Sequence, residues 1–222
     1  DKTYRNPMMK QPDIAHIRQE YSKKELSLDD CLADPIQQFN VWLEEAINAK
    51  ANEPTAMNIA TVSAEGKPSA RMVLLKGVDN QQFVFYSNYD SRKGQQIESN
   101  QYVALTFFWP ELERQVRIEG KISKVASHIS DAYFQARPYG SRIGAWASEQ
   151  SRPLDAKSTL VKRAAFFAAK YIASVPRPAH WGGYAITPER IEFWQGRPSR
   201  LHDRVAYSLN NQQIWDKVCL FP

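Results

Sequence analysis

The chain has 222 residues, 43% hydrophobic and 24% charged, an ordinary balance for a folded globular protein. Its formal charge is +5, yet Lys and Arg are interspersed with acids along the whole length, with no long cationic run, which argues against a nucleic-acid partner. No apolar segment approaches the ~18 residues of a membrane span, no apolar signal core opens the chain, and Cys31 and Cys219 lack disulfide-framework or zinc spacing, so a cytoplasmic protein without metal or membrane is expected.

Residues 1–30 are polar and broken by proline, and read as a flexible N-terminal arm or lid; residues 31–222 read as one domain. ADPIQQFNVWLEEAINAK (33–50) predicts a helix. Asp34 suits the N-cap and Pro35 the first turn, while Ile36, Phe39, Trp42, Leu43, Ala46 and Ile47 share a face. The period then shortens. AMNIATVS (56–63) and SARMVLLK (69–76) predict a hairpin around AEGKP, and QQFVFYS (81–87) a third strand. SRKGQQIESN (91–100) predicts a short helix opened by Ser91. Strands follow at 102–109 and 114–126.

HISDAYFQARP predicts a helix stopped by Pro138, followed by a Pro-Gly loop carrying Ser141, and DAKSTLVKRAAFFAAKYIA predicts another helix. The tail predicts short strands at YAITP, RIEFWQ, HDRVAYSL and QQIWDKVCL, with turns at TPE and LNNQ. The sum is a mainly β, α+β protein: an antiparallel barrel with peripheral helices.

Four stretches carry chemistry. In RMVLLK, alternation separates Arg71, Val73 and Leu75 from Met72, Leu74 and Lys76; the cationic ends either reach solvent or meet an anion. In YSNYDSRKG, Arg92 and Lys93 oppose the dipole of the helix they open, which an anion bound there would reconcile. Tyr133 and Arg137 stand one helical turn apart with Ser141 close behind, either a second phosphate site or an ordinary amphipathic face. In WQGRPSRLHDR, an extended backbone would point Arg200, His202 and Arg204 the same way and Asp203 the opposite way. No dinucleotide fingerprint, Walker loop, nucleophile elbow or zinc signature occurs.

RMVLLK, FVFYSNYDSRKGQQIESN, LERQVRIEG, RPYGSRIGAWASEQS, HWGGY and IEFWQGRPSRLHDR, in that order, resemble the pyridoxine/pyridoxamine 5′-phosphate oxidase family over nearly the whole chain. The resemblance implies a split β-barrel, a homodimer and FMN bound at the subunit interface. It implies oxidation of pyridoxamine or pyridoxine 5′-phosphate to pyridoxal 5′-phosphate, with O2 as acceptor and H2O2 as product. The implied FMN contacts are Arg71, Met72, Val73, Leu74, Lys76, Tyr86, Ser87, Arg92, Lys93, Gln115, Gln150, Ser151, Trp194 and Arg204. The substrate phosphate falls to Lys76, Tyr133, Arg137 and Ser141, and the reacting end to Arg200 and His202, the implied catalytic pair. Arg18 and Tyr21 of the arm are implied to close over the substrate and exclude water. Arg197 receives no role. A flavin- or pyridoxal-phosphate-holding protein without turnover, and a related flavin oxidoreductase with another substrate, are the competing readings.

Overall fold

The computed structural model describes residues 13–222; the first twelve residues of the expected arm lie outside the described residues. Helix α1 (Pro35–Asn48) begins where its sequence requires. Asp34 is extended and its carboxylate accepts from the Ile36 N–H at 2.8 Å, while Pro35 occupies a position whose N–H would have no helical partner. Ile36, Phe39, Trp42 and Ala46 are buried, Leu43 is half-buried, and Ile47 falls outside the buried stripe.

Strands β1 (Ala56–Val62), β2 (Pro68–Leu74), β3 (Gly77–Asp79) and β4 (Gln82–Asn88) lead to helix α2 (Arg92–Ser99). Strands β5 (Tyr102–Trp109) and β6 (Arg114–Lys124), helices α3 (Ser127–Ala136), α4 (Tyr139–Ala147) and α5 (Lys157–Lys170), and strands β7 (Trp181–Gln195), β8 (Asp203–Leu209) and β9 (Trp215–Leu220) complete the chain. All strand pairs are antiparallel, in the order β2-β1-β5-β6-β7-β4-β3, with β8 on β7 and β9 on β8. Strand β7 is the hinge of this topology: its first half pairs with β4 and its second half with β8.

Two expectations are corrected. The stretch after Pro138 is helix α4, so Ser141 lies on a helix and not in a loop. Gly140 and Gly144 lower helix propensity, but burial of Ile143, Ala145 and Ala147 outweighs it. TPE is no turn: Thr187–Glu189 lie inside β7, whose register against β6 slips between Glu119 and Gly120. Pro188 fits because pairing with β4 ends at Ile186 and pairing with β8 starts at Arg190, leaving that edge without a ladder for a missing N–H to break.

The core is aromatic. Phe39 is fully buried with ring centroids 5.0 Å from both Phe83 and Phe107. Phe39→Ala is expected to cost about 3–5 kcal/mol, read as a lower urea midpoint at unchanged m-value. Among the described residues no helix is long and apolar enough to cross a membrane, and no cluster of three or more His, Cys, Asp or Glu is placed to hold a metal.

Candidate functional site

A cavity of about 750 Å³ opens between β2, β4, the start of α2 and helices α3 and α4. Its lining includes Arg71, Lys76, Arg92, Lys93 and Arg137, and no Asp or Glu. Among the described residues none of these five cations pairs with a carboxylate.

Local structure explains how they converge. Ser91 caps α2, its Oγ accepting from the Gly94 N–H at 3.3 Å, and this places Arg92 and Lys93 in the first turn. Lys93 is buried; its ammonium donates to Ser91 Oγ at 3.1 Å and to Gln150 Oε1 at 2.8 Å, an oxygen that also accepts from Ser87 Oγ at 3.1 Å. Burial, then the nearby Arg71 charge, pulls the Lys93 pKa down to about 8. Arg71 does not reach for solvent: Thr61 Oγ1 (2.6 Å) and Ser69 Oγ (2.7 Å) accept from its guanidinium, and burial and the Arg92 charge lower its pKa.

The far wall is aromatic. Tyr86 and Tyr133 stack at 3.8 Å, with Trp181 nearly parallel to both and the Arg137 guanidinium 4.4 Å above the Trp181 ring. Met72, Val73, Leu74, Ser141 and Ser151 complete the rim. Among the described residues β2 pairs with β1 alone, so one edge of Ala70–Leu74 has no strand partner for its backbone N–H and C=O groups.

The remaining predicted residues gather elsewhere. Gln115, Trp194 and Arg204 stand in register across β6, β7 and β8. Arg18, Tyr21, Arg200 and His202 line a separate small depression. Tyr86 and Ser87 pair with Gly183 and Gly182 at the start of β7, whereas Trp194 is at its end, about 36 Å away along an extended strand.

Here too the sequence reading is corrected. The segment before β8 is not extended: Pro198–Arg200 is a short 3-10 turn with Ser199 and Arg200 at φ 57° and 58°, so simple alternation does not align Arg200 with His202 and Arg204. Arg204 has an anion of its own. It donates to both carboxylate oxygens of buried Glu192 (3.0 and 2.8 Å) and to the Phe221 carbonyl (2.8 Å), which leaves two of its five N–H groups.

Two family models match the chain in succession: one described as pyridoxamine 5′-phosphate oxidase over residues 43–171, the other as the pyridoxine 5′-phosphate oxidase C-terminal dimerisation region over residues 181–222. A pyridoxine/pyridoxamine 5′-phosphate oxidase of Chromobacterium violaceum is 63% identical over 95% of this chain and 99% of its own. One from Actinobacillus pleuropneumoniae is 64% identical over 95% and 100%. The chain belongs to the pyridoxine/pyridoxamine 5′-phosphate oxidase family.

The solved structure of PhzG from Burkholderia lata, in complex with tetrahydrophenazine-1-carboxylic acid, is 28% identical and superposes with a TM-score of 0.85 over 90% of this chain and all of its own. The fold is thus the antiparallel split barrel expected of the oxidase family.

Against that family background, several contacts stand out that no sequence pattern singles out. The Arg197 N–H donates to His202 Nδ1 at 2.9 Å, and the Arg197 side chain ties down the arm at Lys24 O and Glu25 Oε1 (3.0 and 2.9 Å). Glu20 Oε1 accepts from the Ser199 N–H at 2.5 Å. A backbone donor and the partner of an exposed arm have no sequence signature; only the packed loop reveals them.

Proposed function

We propose that this protein oxidises pyridoxamine or pyridoxine 5′-phosphate to pyridoxal 5′-phosphate, using FMN as cofactor and O2 as electron acceptor, and acts as a homodimer. The observation that carries the reading is the acid-free cavity. Five cations held together without a counter-anion, beside stacked aromatic rings, fit two phosphorylated ring compounds. The donor set fits FMN. Arg71, Arg92 and Lys93 would hold its phosphate with Ser87, Gln150 and Ser151, and the free edge at Met72–Leu74 would offer hydrogen bonds to a heteroaromatic ring. Lys76, Tyr133, Arg137 and Ser141 would hold the substrate phosphate. When bound, FMN supplies the two-electron acceptor that no side chain provides, and O2 takes those electrons on to hydrogen peroxide.

The protein positions and polarises. Two fixed phosphate sites hold both reactants in place, lowering the entropic part of the barrier. His202 Nδ1 accepts a backbone N–H, so its neutral ring carries the proton on Nε2. Burial and the adjacent Arg200 charge lower its pKa, so at neutral pH it offers a hydrogen-bond donor at Nε2 and not a base. Tyr21 sits edge-on to Trp194 at 6.0 Å, so the arm would cover the reacting end and exclude water.

One chain holds the two residue sets at opposite ends of β7. A two-fold copy meeting it across the exposed face that carries Met72 and Phe108 would join the cavity of one subunit to Gln115, Trp194, Arg200, His202 and Arg204 of the other, with FMN at the interface. The C-terminal region matched by the dimerisation model contains β7, β8 and β9, in keeping with this arrangement.

The test is aerobic turnover of pyridoxamine 5′-phosphate, following pyridoxal 5′-phosphate and peroxide alongside the absorption spectrum of the purified protein. A yellow protein that consumes no O2 would make it a flavin carrier, and a protein that takes up no FMN would end the reading altogether.

Lys93 adds a pH signature. Without ligand its ammonium is charged below about pH 8, against an ordinary value of 10.5. Between those values the unfolded chain holds a proton the folded chain has released, so its contribution to stability grows as pH rises through that window. A phosphate favours the charged form, so FMN binding above pH 8 must take up a proton. FMN affinity is expected to weaken up to about tenfold per pH unit there, measured by titrating apoprotein at pH 7 and 9.5.

A further inference from the structure

The guanidinium of Arg71 has donors only, so the Thr61 and Ser69 hydroxyls can meet it only as acceptors. Each hydroxyl must then send its own proton elsewhere, and both send it to one atom. Gln96 Oε1 accepts from Thr61 Oγ1 at 2.5 Å and from Ser69 Oγ at 2.8 Å. Thr61 and Gln96 are buried, so water does not compete for these bonds. The proton count also fixes the amide: its oxygen must face the two hydroxyls.

Gln96 belongs to α2, one turn after Arg92 and Lys93. A single neutral side chain therefore ties the helix to the β1–β2 hairpin and sets Arg71 beside the two cations of the first turn. Three cations are kept close with no acid among them. Glutamate has the same length and would accept from the same hydroxyls, but its charge would cancel one of the three.

We propose that Gln96 is a positioning residue for the phosphate of the cofactor: through Thr61 and Ser69 it aims Arg71 at the anion held by Arg92 and Lys93, and being uncharged it leaves their field intact. This rests on the reading that the cavity takes FMN.

The test uses full-length apoprotein and compares dissociation constants for FMN and for riboflavin, which lacks the phosphate, by quenching of flavin fluorescence. Gln96→Glu is expected to weaken FMN about tenfold or more while riboflavin moves by less than about twofold. Gln96→Met, uncharged and of similar length, removes the amide and with it the acceptor without adding charge, and is expected to weaken FMN about threefold to tenfold, again sparing riboflavin; it also serves if the glutamate variant fails to fold. Arg71→Met is the reference. If Arg71→Met weakens FMN and the Gln96 variants do not, the positioning role is wrong and the cofactor reading stands. Equal losses for FMN and riboflavin would make Gln96 a purely structural residue. If Arg71→Met itself leaves FMN binding unchanged, the placement of the phosphate fails, and the role of Gln96 with it.

Discussion

Arg200→Leu is expected to lower kcat by about 10²–10³-fold while FMN affinity stays within about twofold. The Arg200 side chain is exposed and makes no hydrogen bond or ion pair among the described residues, so its removal leaves no partner unsatisfied and should not lower the melting temperature. Its backbone is the unusual part. Ser199 and Arg200 both hold left-handed φ angles, which cost non-glycine residues about 1–2 kcal/mol each. Glu20 on the Ser199 N–H and the Arg197–His202 bond hold the loop there. Strain kept in place by two anchors, with a free guanidinium at its tip, is the arrangement expected of a group that acts on a ligand. Steady-state kinetics with FMN titration separates the alternatives. Equal losses in kcat and FMN affinity would move Arg200 from the substrate to the cofactor. Arg200→Lys, which keeps the charge and loses the planar fork, should fall between wild type and leucine.

The arm is bound into the same construction. Buried Glu113 accepts from the Ser22 and Lys23 N–H groups at 3.0 and 2.9 Å, and Asp203 accepts from the Leu26 N–H at 2.9 Å. Gly196 lies under Tyr21, where a Cβ would come within 2.7 Å of the ring. The close approach lets the tyrosine rest on the end of β7 beside Trp194 and His202, whose rings are 4.6 Å apart. Arm, loop and strand end therefore form one unit, in which Arg197, assigned nothing from the sequence, bridges His202 to the arm.

Legibility followed the range of the interactions. The start of α1 is local, set by Asp34 and Pro35, and its apolar face was readable apart from Ile47. The hairpin and the capped start of α2 were equally local, and the broken dipole rule at Arg92 and Lys93 pointed to an anion before any fold was known. Helix α4 was missed because its glycines speak against a helix and its burial against neighbouring helices is a tertiary effect. The continuity of β7 through Pro188 depends on which neighbours end beside it, which no local pattern encodes. The same holds for Glu192, whose pairing with Arg204 crosses two strands, and for Gln96, whose importance lies in where two distant hydroxyls send their protons. The separation of the predicted residues into two groups was invisible for a further reason: alternation describes one extended segment, while the two groups lie at opposite ends of a strand.

That division gives the most demanding test. Take one chain carrying Arg71→Met and Lys93→Met, and a second carrying Arg200→Leu. Each homodimer repeats its own lesion at both sites and is expected to retain no more than about a hundredth of wild-type turnover at limiting FMN. A hybrid differs. One of its sites combines the damaged cavity with the damaged loop, and the other combines the intact cavity of the second chain with the intact Arg200 of the first. Random pairing at equal expression makes half the dimers hybrids with one working site each, so the mixture should recover about a quarter of wild-type activity. If instead each chain built its whole site from its own residues, no mixture would contain a working site and nothing would be regained. Tagging the two chains differently and isolating the doubly tagged dimer raises the expectation to about half, because every molecule then carries one complete site.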